Sequence, residues 1–105
     1  MSDQVMNDRH DLGHGCFYSR CLWKGQFVGV YEWHKCGGND VPGLHGDGTT
    51  AFWVPLDVPA ADEVTTGRAP RWQLVQEDPL TLSPSILCRV CGHHGFIQNG
   101  LWVPA

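Results

Sequence analysis

Residues 82–103 read LSPSILCRVCGHHGFIQNGLWV. Two cysteines, Cys88 and Cys91, stand at the spacing of a tight metal-gripping turn. Past them, Phe96-Ile97-Gln98 and Leu101-Trp102-Val103 flank Asn99-Gly100. An Asn-Gly pair suits a type I′ turn, which needs positive φ at both central residues, so the spacing predicts a β-hairpin. Upstream, Pro84 steers Ser83 away from helix, and 81–87 is expected to run extended. Extended segments joined by a knuckle and a tight turn define the expected fold class. It is mostly β, a small antiparallel domain cross-linked by a metal in the manner of a zinc ribbon or knuckle, with little helix.

The 105 residues suffice for one domain with a modest core. A core that small leaves little stability to spare, so a structural metal would matter. Only 17% of residues are charged against 42% hydrophobic, which reads as globular. Thirteen glycines and seven prolines argue for many turns. The net charge of -4 and the absence of a basic run speak against nucleic acid as a partner. No apolar run approaches the ~20 residues of a membrane span, and the N-terminus lacks the apolar core of a signal peptide. The cysteine count is five, an odd number that fits a disulfide framework poorly. A reducing cytoplasm is therefore expected, where clustered Cys and His serve as metal ligands.

Working outward, residues 1–12 are polar and expected to fray, and residues 1–26 read as a partly ordered N-terminal extension. The domain proper is expected over 27–105. It starts with a strand at Phe27–Trp33, where aromatic and β-branched residues lie between glycines. Residues 37–49 read as a loop. Residues 51–56 read as a second strand, held to an edge or strand end by Pro55. A short helical turn fits 60–64, and RWQLV at 71–75 reads as a third strand.

The Cys88–Cys91 pair is half of a zinc site. The other half is offered by His34 and Cys36, at the end of the first strand. Together they make a Cys3His set suited to one tetrahedral structural Zn2+; thiolates disfavour magnesium or calcium. His45 is an alternative to His34, and free buried thiols are the plainer reading of the cysteines. A second cluster, His10, His14, Cys16 and Cys21, is a weaker candidate. Cys91-Gly92-His93-His94-Gly95 also echoes one box of a Rieske centre, but His34 and Cys36 stand in the reverse of the order its other box requires.

Ser85 lies three residues before the first thiol, and His94 three after the second. A serine hydroxyl is a poor nucleophile until a base takes its proton, and imidazole is the usual base. Fully extended, the two residues would stand roughly 30 Å apart at ~3.3 Å per residue. A reversal at Cys88–Cys91 is needed to bring them together, and a bound ion would fix it. Ser83 competes for the nucleophile's part and His93 for the base's. A turn-capping Ser85 and a structural or metal-bound His94 are the plainer alternatives. Asp47, Asp57, Glu77 and Asn99 are open as a third member.

At these residues the chain resembles the BubE-like family, small proteins found beside bacterial ubiquitin-like modifier genes and in bacteriophage genomes. The resemblance covers about residues 31–105. A C-P-C-G element after a strand appears as His34-Lys35-Cys36-Gly37, with His in place of the first Cys. P-R-W-x-L appears as Pro70-Arg71-Trp72-Gln73-Leu74. S-L-S-P-S-I appears as Thr81-Leu82-Ser83-Pro84-Ser85-Ile86. C-x-x-H-x-aromatic-I-x-x-G runs from Cys91 to Gly100.

The resemblance implies a zinc-containing serine peptidase that processes ubiquitin-like proteins, with Ser85 as nucleophile and His94 as base. It implies that His34, Cys36, Cys88 and Cys91 hold the zinc. It would place the protein in the cytoplasm, that of the bacterial host if phage-encoded. The leading expectation is thus a hydrolase whose protein substrate is the C-terminal tail of a ubiquitin-like protein. The alternative is a non-enzymatic zinc-ribbon adaptor using Trp53 and Trp102 as contact surface. A hydrolase with metal-activated water is disfavoured, since that needs an open coordination position.

Overall fold

The computed structural model describes residues 4–6, 9–36, 49–67 and 69–105, with side chains from residue 9 onward. The longest local unit is a hairpin. β3 (Cys16–Trp23) and β4 (Gln26–His34) pair antiparallel from Phe17↔Trp33 to Trp23↔Gln26. Between them Lys24 and Gly25 both take positive φ, 50° and 80°, as a tight hairpin turn demands.

β1 (Gln4–Met6) and β2 (His10–Gly13) precede this hairpin and pair with β3 at different heights. β5 (Thr50–Pro55) pairs with β4, completing a five-stranded sheet of order β1-β3-β4-β5 with β2 also on β3. Residues up to 12, expected to fray, instead carry two strands. Leu12 explains part of this, for it is 0% exposed within the main core. The division expected near residue 26 falls at the β3–β4 turn, and the two strands share one ladder across it.

The second half is built of shorter pieces. A 3-10 turn at Pro59–Glu63 occupies the position expected for a helical turn. β6 (Gln73–Gln76) and β7 (Thr81–Ser83) form a two-stranded ribbon. The strand expected at 71–75 begins two residues late because Trp72 is engaged elsewhere. Its backbone N–H donates to the Pro55 carbonyl and its own carbonyl accepts from Asp57, bridging to β5. β8 (Ile86–Leu87), β9 (His94–Gln98) and β10 (Leu101–Pro104) make a three-stranded sheet of order β10-β9-β8. The β9–β10 hairpin is the one that Asn99-Gly100 predicted, with φ of 50° and 74° at those residues. The fold is thus mostly antiparallel β, as expected.

The core joins the sheets. Leu12, Val30, Val54, Leu56, Leu80, Leu82, Ile86, Ile97 and Trp102 form one buried cluster. Cys21, Val28 and Ala61 form another, flanked by Trp23, Tyr31 and Trp53. Trp102 is therefore no exposed contact residue: it is 4% exposed. Trp53 is half-buried, and its indole donates to Thr65. Large apolar rings in a small protein go where they remove most surface from water. Among the described residues no helix is long and apolar enough to cross a membrane. The expected loop at 37–49 lies almost wholly outside the described residues, as do His45 and Asp47.

Leu12→Ala should cost about 2–5 kcal/mol of stability, the usual cost of emptying a leucine's space in a core. Urea denaturation measures it; a frayed N-terminus would show no change.

Candidate functional site

The site grows from one register. β8 and β9 pair as Ile86↔Gly95 and Leu87↔His94. The next step of the ladder is the Cys88 N–H donating to the His93 carbonyl at 2.8 Å. What remains between them, residues 89–92, is the hairpin's turn, closed by the Gly92 N–H donating to the Cys88 carbonyl at 2.9 Å. Gly92 takes φ of 80°, which glycine adopts without penalty. The thiol-bearing knuckle and the β8–β9 turn are the same piece of chain.

Side chains alternate across a strand, so this register sorts the residues onto two faces. Ile86, Gly95 and Ile97 are buried on the inner face. Leu87 and His94 are exposed on the outer one. Ser85 shares the parity of Leu87 and becomes a diagonal neighbour of His94. Its hydroxyl and the His94 Nε2 are 2.9 Å apart. That is hydrogen-bond reach between a nucleophile and a base. Ser83 instead lies exposed in β7, opposite Gln73. His93 turns the other way, stacked between His34 at 4.1 Å and Trp102 at 4.2 Å between ring centroids.

The Ser85 backbone is braced. The Trp72 indole N–H donates to the Ser85 carbonyl at 3.2 Å, and Trp72 itself is tied to Pro55 and Asp57. The residue after His94 is constrained as well: a Cβ on Gly95 would meet the Trp102 ring at 2.6 Å and the Val103 carbonyl at 2.7 Å. Three of the four candidate third members are occupied elsewhere. Asp57 accepts from Gln73, Glu77 pairs with Arg20, and the Asn99 amide oxygen accepts from Gln76. Asp47 is outside the described residues. Among the described residues no carboxylate pairs with His94.

At the knuckle, His34, Cys36, Cys88 and Cys91 bring four donor atoms within 4.8 Å of one another. Cys36 Sγ and Cys88 Sγ are 3.5 Å apart, and Cys91 Sγ is 3.3 Å from His34 Nε2. A tetrahedral ion with metal–sulfur near 2.3 Å and metal–nitrogen near 2.0 Å would set these edges at about 3.8 and 3.5 Å. The donors thus fit one metal ion with little adjustment. Burial and then the neighbouring thiols push the Cys36 thiol up to about 12. A divalent cation removes that penalty.

The surroundings of His34 are ordered too. Its Nδ1 bonds the Glu32 carboxylate at 2.8 Å, leaving Nε2 for the cluster. Glu32 is 0% exposed. Burial pushes its carboxyl up, partly countered by the His34 bond. Burial works against charge on His34 as well, yet the Glu32 bond and charge prevail, lifting it to about 9 without metal. Burial, then the charge of His34, drives His93 down to about 4. Carboxylate partners of this kind orient metal-ligating imidazoles.

The weaker cluster does not form. Cys16 and Cys21 are five residues apart on one strand and face opposite sides. Cys21 sits in the second core cluster, His10 stacks on Tyr18, and His14 occupies an exposed turn. Sequence reasoning missed Glu32, which its position two residues before His34 on one strand could have flagged. It also gave Trp72 no part, although Trp72 stood in a quoted motif.

Fold and site together define a small antiparallel β protein with a Cys/His group able to hold a metal ion and an exposed Ser–His pair. Residues 44–105 match the family described as bacterial ubiquitination-like system serine protease (BubE), and the chain belongs to that family. His34 and Cys36 lie N-terminal to the matched segment. No curated protein and no solved structure matches the chain.

Cys88→Ser should lower the metal content measured by mass spectrometry and erase much of the strand signal in circular dichroism. A structural ion of this type is worth about 10 kcal/mol or more, as much as the whole stability of a small domain, about 5–15 kcal/mol.

Proposed function

We propose that the protein is a serine peptidase, stabilised by one structural Zn2+ at His34, Cys36, Cys88 and Cys91, that trims the C-terminal tail of a ubiquitin-like protein. The observation that carries this reading is the 2.9 Å contact between the Ser85 hydroxyl and His94 Nε2 on an exposed face. It is supported by membership of a family described as serine proteases of a bacterial ubiquitination-like system.

His94 Nε2 accepts the Ser85 proton as Oγ attacks the scissile carbonyl. The imidazolium then passes that proton to the leaving amine, and water repeats the sequence to release the acyl group. Backbone N–H groups of the Ser85 segment stabilise the oxyanion. Among the described residues His94 has no carboxylate partner; Asp47, which lies outside them, stays open as a third member. Zinc, when bound, supplies a fixed turn rather than an activated water, since four protein donors leave no open position. His34, Cys36, Cys88 and Cys91 keep the β8–β9 ladder in register, and Trp72 holds the Ser85 carbonyl.

The surroundings of Ser85 support this substrate class. It immediately precedes β8, an edge of the three-stranded sheet among the described residues. A slim extended tail can add to such an edge through backbone hydrogen bonds. Leu87 on the outer face is 46% exposed and offers an apolar contact. A cytoplasmic setting accords with five cysteines that form no disulfide.

The test uses a ubiquitin-like precursor from a bacterial ubiquitination-like operon, carrying a C-terminal extension, with its mass followed over time. Ser85→Ala should slow trimming by at least ~10³-fold, as loss of a serine nucleophile does, while metal content and circular dichroism stay unchanged. Trimming that survives Ser85→Ala would overturn the assignment.

A further inference from the structure

A second group of donors lies beside the first. Cys16 opens β3, Glu32 lies within β4 and His93 immediately precedes β9. Their Sγ, carboxylate oxygen and ring nitrogen all lie within 4.8 Å of one another. Cys16 Sγ is 3.4 Å from His93 Nε2, and Glu32 Oε2 is 3.8 Å from the same nitrogen. Cys16 and Glu32 are buried and His93 half-buried.

The register explains the convergence. Tyr18 pairs with Glu32, and Cys16 shares the parity of Tyr18, so Cys16 and Glu32 share one face of the β3–β4 hairpin. His93 descends onto that face from the other sheet, flattened between the His34 and Trp102 rings.

This is not the geometry of a Cys–His–carboxylate catalytic triad. There the thiol and the carboxylate sit at opposite ring nitrogens. Here both approach Nε2. One ring nitrogen offers either one proton or one lone pair, so it cannot serve two acceptors well. A cation placed among the three atoms serves all of them.

From this geometry we infer that Cys16, Glu32 and His93 form a second metal site, for a borderline divalent cation of the Zn2+ class. The thiolate disfavours magnesium and calcium. A tetrahedral ion sets sulfur–nitrogen and oxygen–nitrogen edges at about 3.5 and 3.3 Å; the first matches the 3.4 Å present, and the second asks the Glu32 carboxylate to close in from 3.8 Å. A thiolate and a carboxylate together neutralise the ion's charge, which suits so enclosed a place. Glu32 faces His34 Nδ1 with both oxygens, Oε1 at 2.8 Å and Oε2 at 3.1 Å, and it is Oε2 that also faces His93 and would bind the ion. The fourth position is left to water. In the metal-free chain the Cys16 thiol donates instead to the His14 carbonyl at 3.6 Å.

The ion would staple the five-stranded sheet to the segment that leads into β9. It would share Glu32 with the His34 cluster, coupling the two centres through one carboxylate. The inference does not require peptidase activity and stands or falls separately from it.

The test is metal stoichiometry of the untagged full-length chain, loaded with Zn2+ and desalted, read by native mass spectrometry. Two ions per chain are expected, falling to one in Cys16→Ser and in His93→Gln. A parallel Co2+ titration of the unaltered chain should proceed in two phases. The larger thiolate charge-transfer increase belongs to the three-cysteine site and the smaller to Cys16. Saturation of the unaltered chain at one ion overturns the inference whether or not the variants fold. So does retention of two ions in either variant.

Discussion

Everything at the site depends on one backbone register, Ile86↔Gly95 and Leu87↔His94. Slipping β9 by one residue against β8 would exchange the two faces of β9. His94 would then turn into the core and His93 toward solvent. Ser85 would lose its diagonal neighbour. The three-residue spacings on either side of the cysteines therefore express a single requirement. The knuckle must hold Cys88 inward and bring Cys91 to His34 while the strands leaving it present a hydroxyl and an imidazole outward.

The interior below that turn is unusually polar for so small a protein. Cys36, Cys88, Glu32, His34 and Cys16 are all buried, and His93 nearly so. Free-standing, such groups would each cost free energy to remove from water. They are arranged so that each faces another: His34 between Glu32 and Cys91, His93 between Glu32 and Cys16. Aromatic rings close the remaining sides, with Phe52 stacked on His34 and Trp102 on His93. Flat apolar rings flank the donors, which are turned toward one another, the condition under which cations hold a small fold together.

Much of this was legible beforehand, for stated reasons. Asn99-Gly100 marks its hairpin because few residue pairs accept positive φ twice in succession. The convergence of His34 and Cys36 with Cys88 and Cys91 could be read because donors gathered at turns and strand ends have few alternative uses. β3 was not legible. Ser19 and Arg20 interrupt its apolar pattern, and only tertiary contacts accommodate them. Ser19 is buried and accepts from the Trp33 indole at 3.2 Å. The Arg20 guanidinium lies over the Phe27 ring and donates to the Glu77 carbonyl. Its turn, Lys24-Gly25, carries a lysine where an asparagine would have announced it. Glu32 was hidden for the opposite reason: a charged residue between apolar ones reads as a solvated face, and here it is the innermost one.

Gly95 sets the terms on which this protein can diverge. It separates His94 from the rest of β9, and Trp102 fills the space where its side chain would be. Any bulkier residue there would have to evict an indole that also roofs His93. Substitution is therefore costly on the inner face of the hairpin and far cheaper at Leu87, Val90 and Leu101, whose side chains face solvent.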